Sequence, residues 1–65
     1  MAVNLNMASV EELKDIPGLG EEKARQLVNY REKNGPFGNW EDLSDIPGFS
    51  DSHIEALKKA EVEIA

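Results

Sequence analysis

The sequence predicts an all-α domain in which two helix–tight turn–helix units, with four main helices between them, are related by a pseudo-two-fold axis. Three observations carry that expectation. The chain repeats itself at an offset of 30 residues, each copy holds an Ile-Pro-Gly turn at 16–18 or 46–48, and no segment shows the alternation of a half-buried strand. In the repeat Glu11 aligns with Glu41, Leu13 with Leu43, Asp15 with Asp45 and Leu27 with Leu57. One unit is expected over about 9–33 and the other over about 39–60, inside a single domain of residues 1–65.

The four helices are expected near 9–15, 21–33, 40–45 and 51–60. Ser9 stands three residues before Glu12, the spacing of a capping box in which each side chain satisfies the other's backbone amide. Asn39 before Asp42 is a weaker version. Pro17 and Pro47 push the residue before each away from helical geometry, ending the first helix of each unit, and the glycines that follow accept positive φ. Ala24, Leu27, Val28 and Arg31 then fall on one side of a second helix, which Asn34-Gly35-Pro36 stops. In the second unit Ile54 and Leu57 repeat that side, and Ser50 reads as an N-cap. The tail from Glu61 is expected to finish the last helix or fray, and no paired strand is expected.

Two-turn helices are not stable alone. Leu13, Ile16, Leu19, Leu27 and Val28 are therefore expected to meet Leu43, Ile46, Phe49, Ile54 and Leu57 in one core, with Tyr30, Phe37 and Trp40 closing its ends.

Composition narrows the function. A 65-residue chain buries only about 60% of its unfolded surface, so its 40% hydrophobic content must serve one core. With no cysteine and one histidine, disulfides and Cys/His zinc sites are excluded. Thirteen acidic against seven basic residues give a net charge of −6, which opposes undirected attraction to nucleic acid or anionic membrane. No apolar run approaches the ~18 residues of a membrane span, and the opening MAVNLNMAS lacks the regions of a signal peptide. The segment is expected to be soluble and to make no membrane contact. There is no Walker-type loop and no serine with a partnered base, so an enzyme is not expected.

VNLNMASVEELKDIPGLGEEKARQLVNYREKNGPF resembles the paired helix-hairpin-helix module of the competence receptors that bind incoming DNA in transforming bacteria. The likeness runs from Val3 to about Ala60 and is specific in Val-Asn-Leu-Asn, Pro-Gly-Leu-Gly, Tyr30-Arg31 and Asn34-Gly35-Pro36-Phe37. It implies backbone amides at each hairpin and at the start of the following helix that face a DNA phosphate, aided by the helix dipole. Carried onto this sequence, the phosphate-binding residues are Gly18, Leu19, Gly20 and Lys23 in the first hairpin and Gly48, Phe49, Ser50 and His53 in the second. Such contacts position duplex DNA but read no sequence. The resemblance also implies a monovalent cation at the first hairpin, held by the carbonyls of Lys14, Ile16 and Leu19, and a location on the extracytoplasmic side of a bacterial membrane.

The sequence departs from that pattern in two places. Glu21 and Glu22 stand where similar modules carry proline and basic residues, and Ser50 replaces the second glycine of the second hairpin. Carboxylates in the first turn of a helix favour its dipole whether or not DNA is bound. Lys23 is read as the fixed charge of the first hairpin, and His53, at the matching position, as a positive charge only in mildly acidic solution. A basic cluster of Lys14, Lys23, Arg25, Lys58 and Lys59 would favour DNA. An acidic hairpin face would favour the alternative, a protein-interaction or structural module; the extrinsic helix-hairpin-helix subunit of cyanobacterial photosystem II is similar in plan.

Overall fold

Capping chemistry sets where the helices begin. The Ser9 hydroxyl accepts from the Glu12 amide at 3.2 Å, and a Glu12 carboxylate oxygen accepts from the Ser9 amide at 3.1 Å. Asn39 and Asp42 repeat the exchange at 3.1 and 3.3 Å, and Asp42 also takes the Gly38 amide at 2.8 Å. The computed structural model describes residues 3–64; Met1, Ala2 and Ala65 of the expected 1–65 domain lie outside them. The order is β1 (Val3–Asn4), α1 (Val10–Lys14), α2 (Gly20–Asn34), a 3-10 helix (Trp40–Asp45), α3 (Asp51–Lys59) and β2 (Val62–Glu63). The fold is all-α with a very small strand pair, and the helices match the expected four within a residue or two.

The tail overturns two expectations, because it neither extends α3 nor frays, and it forms a paired strand. Glu61 turns left-handed at φ 61°, and Val62–Glu63 then lies parallel to β1, Val3 opposite Val62 and Asn4 opposite Glu63. The Leu5 amide donates to the Glu63 carbonyl at 2.7 Å. Burial explains the pairing: Leu5 and Val62 enter the core, and each fully buried side chain of this size contributes roughly 1.5–3 kcal/mol.

The opening Val-Asn-Leu-Asn is thereby a clasp. The Asn6 side chain donates to the Phe37 carbonyl at 3.0 Å and accepts the Phe37 amide at 2.6 Å, acting as a short substitute for a strand partner. Arg31, expected on the apolar side of α2, sends its guanidinium to the Leu5 carbonyl at 2.8 Å. The core contains Leu13, Ile16, Leu19, Leu27, Leu43, Ile46, Ile54 and Leu57, joined by Leu5, Ala8, Ala24, Phe37 and Val62. Val28 and Phe49 pack at its margin. Tyr30 stacks on buried Phe37 with centroids 5.8 Å apart, and the Lys58 ammonium lies 5.7 Å from the centre of the Trp40 ring. These contacts fit the packing role expected of the aromatics.

Candidate nucleic-acid interface

The two turns fold by the same local bonds. The Ile16 amide donates to the Leu13 carbonyl and the Leu19 amide to the Ile16 carbonyl, both at 3.1 Å; Ile46 to Leu43 and Phe49 to Ile46 reproduce them at 3.1 Å. Gly18 and Gly48 share φ 88°, a left-handed conformation that costs other residues about 1–2 kcal/mol. The backbones diverge at the next-but-one residue. Gly20 is again left-handed at φ 84°, whereas Ser50 is extended at φ −112°, so the second glycine is needed only in the first turn.

The donors differ in consequence. The amides of Leu19 and Phe49, both expected at phosphate, are engaged inside their own turns. No side chain caps the start of α2, so its first amides are left for solvent or a ligand. At α3 the Ser50 amide, another expected donor, instead donates to His53 Nδ1 at 3.1 Å. The Ser50 hydroxyl lies 3.0 Å from the same nitrogen and 2.8 Å from the Ser52 hydroxyl. That geometry requires Nδ1 bare of a proton, with the ring hydrogen on Nε2.

The charges are also redistributed. Lys23, read from sequence as the charge of the first turn, lies against the second: a Cβ built on Gly48 would sit 2.9 Å from its Nζ. Gln26 Oε1 accepts from that ammonium at 3.2 Å and steadies it. The opposite seating holds for the first turn, where a Cβ on Gly18 would lie 3.2 Å from Ala56 Cβ. Pro17 and Gly18 line a groove of about 630 Å³ with Ser52, Glu55, Ala56, Lys59 and Ala60 of α3 and its end. Each turn thus rests on the second helix of the other unit. Sequence proximity placed Lys23 beside its own turn; the packing of the units moves its head group across.

Three of the other cations hold contacts of their own. Lys14 is paired with Glu11 at 2.9 Å, whose hydrogen bond and charge hold its pKa above the ordinary lysine value, and Arg25 is paired with Glu21 at 2.7 Å. Lys58 lies at Trp40. Glu21, Glu22 and Arg25 line a shallow depression beside the α2 start. Among the described residues no group of three or more His, Asp or Glu side chains is placed to hold a metal, so any cation there would rely on carbonyl oxygens. The Ile16 carbonyl already accepts from Leu19 but has a second lone pair. No helix of the described residues is long and apolar enough to cross a membrane.

Residues 1–60 match the family model described as "Helix-hairpin-helix motif". The chain is 40% identical over 58 residues to ComE operon protein 1 of Bacillus subtilis, covering 89% of this chain and 28% of that protein. It is 41% identical over 58 residues to Kinesin-like protein KIF22 of Xenopus tropicalis, covering 89% of this chain and 9% of the relative. An uncharacterized protein of Haemophilus influenzae is 39% identical over 54 residues, with 82% of this chain and 48% of the relative covered. The chain spans less than half the length of each of these relatives.

Proposed function

We propose that this chain, which belongs to the helix-hairpin-helix family, is a non-catalytic module that binds duplex DNA without sequence preference through its hairpin backbones. The observation that carries the reading is the Lys23 ammonium seated against Gly48 beside the Gln26 amide, a fixed positive charge at the second turn that a phosphate can meet. Gly18, Gly20 and the uncapped start of α2 offer amide donors at the other turn, with Lys59 lining the groove next to it. The Gly18, Gly48 and Lys23 positions do the positioning, and no base edge is read. Leu19 and Phe49 contribute by shaping the turns.

The carbonyls of Lys14, Ile16 and Leu19 are the donors for a monovalent cation, whose charge would offset that of an approaching phosphate. Oxygen donors of this kind suit a hard cation. The resemblance to competence receptors, with the 40% identity to ComE operon protein 1, supports a place in DNA uptake on the extracytoplasmic side of a bacterial membrane.

A second reading, a protein-interaction module, is favoured by one feature. Glu21 and Glu22 stand at the open end of α2, and the nearest guanidinium, Arg25, is already paired with Glu21. Fluorescence anisotropy with a labelled random-sequence duplex, titrated with salt, separates the two. DNA binding predicts a Kd of roughly 10⁻⁴ to 10⁻⁶ M at physiological salt and a logarithmic salt slope of about −0.9 per phosphate neutralised. Absence of binding at low salt and high protein concentration assigns the chain to the second reading.

A further inference from the structure

Three helices of this chain begin with a side chain three residues on reaching back to the cap amide, and the reaching group is not the same. Glu12 and Asp42 use carboxylate oxygens, which accept from the cap amides. His53 uses an imidazole nitrogen, and it does so at the helix that leaves the second turn. Imidazole is the side chain whose ordinary titration falls between pH 5 and 8, and when protonated both its nitrogens are donors.

We propose that His53 is a proton-operated gate on the second turn of the DNA site, an inference that rests on the DNA-binding reading. With Nδ1 bare, the Ser50 amide is engaged and the turn offers only the Lys23 charge. Protonation of Nδ1 ends that acceptance. The protonated Nδ1–H then faces the Ser50 N–H, donor against donor, so the ring turns off that amide while the Ser50 hydroxyl, 3.0 Å away, takes Nδ1–H and points its own hydrogen to Ser52, 2.8 Å away. The Ser50 amide is freed next to Gly48, and a positive charge appears at the same end of α3.

Of the charged groups around His53, Asp51 and Glu55 stand on α3 itself, and from α2 the Lys23 ammonium lies beside Gly48. The half-buried ring lies 5.5 Å from the Phe49 ring, centre to centre, at the edge of the turn.

The test compares wild type with His53→Gln, whose side-chain oxygen accepts from the Ser50 amide but does not titrate. Between roughly pH 8 and pH 5.5, wild-type affinity for random duplex DNA should rise about fivefold more than that of the variant, with a steeper salt slope at the acid end. In the free protein, nitrogen-15 NMR should show the Ser50 amide and His53 Nδ1 titrating together in wild type, and a pH-independent Ser50 amide in His53→Gln. Parallel pH profiles for the two proteins, or a Ser50 amide that ignores the His53 titration, overturn the gate while leaving DNA binding standing. Failure of wild type to bind DNA at any pH overturns the reading beneath it, and the gate with it.

Discussion

The first turn carries two left-handed glycines and an uncapped helix start, whereas the second carries one left-handed glycine, a capped helix start and an ammonium borrowed from the other unit. Open donors and fixed charge are therefore divided between the turns. The difference follows from one backbone choice. An extended residue at position 50 can be serine, serine can be capped by the residue three along, and the cap engages the amide that glycine at position 20 leaves open. In turn, the seating of each turn on the other unit's second helix makes the pair one composite surface.

Gly18→Ala is the most severe way to break this arrangement. The new Cβ would combine about 1–2 kcal/mol of left-handed strain with about 1–3 kcal/mol of overpacking against Ala56, whose Cβ at 3.2 Å belongs to a helix that cannot swing away. A loss of roughly 2–5 kcal/mol in urea unfolding is expected. Gly48→Ala should cost only about 1–2 kcal/mol, since the atom it meets at 2.9 Å is the far end of a flexible lysine. Its larger effect is on DNA, because the displaced ammonium no longer lies at the turn. If the two alanine variants lose equal stability, the turns are not seated as described.

Lys23→Gln sharpens the comparison further. Its stability should change by less than about 0.5 kcal/mol, while the logarithmic salt slope of DNA binding becomes shallower by about 0.9. Combined with Gly48→Ala it should lose little further affinity, because both changes remove one contact; additive losses would return Lys23 to the first turn. Glu22→Lys, at the open start of α2, should steepen the same slope by about 0.9 at almost unchanged stability. The smallest effect belongs to Lys14. Its pKa is raised in the fold, chiefly by the hydrogen bond to Glu11, so the stabilisation is fully present below the ordinary value of 10.5 and is lost as pH rises through the folded value. Glu11→Gln should remove that slight alkaline dependence in thermal unfolding.

Much of this molecule was legible in local patterns. Ser9 with Glu12, Asn39 with Asp42, and the prolines at 17 and 47 act within a few residues, so their consequences could be read along the chain. The β1–β2 pair could not, because two residues at either end show no alternation and meet only after the helices have packed. Asn6 reached Phe37 across 31 positions for the same reason. Within the candidate site, the left-handed glycines were readable and the Lys23 crossing was not, since it depends on how two units pack. The His53 cap was hidden differently: its spacing is that of a capping box, but the reaching residue is neither Glu nor Gln.

The strand pair has a mechanical consequence. Because β1 and β2 run parallel, tension applied through the two ends of the chain pulls them in opposite directions along their length. Their hydrogen bonds, with the Leu5 to Glu63 bond beside them, are then loaded together in shear instead of being peeled open one at a time. Arg31 anchors that segment to α2 through the Leu5 carbonyl, so force entering at one end passes to the longest helix before it reaches either turn. A ligand held at the turns would thus be shielded from a pull along the chain until this short latch gives way.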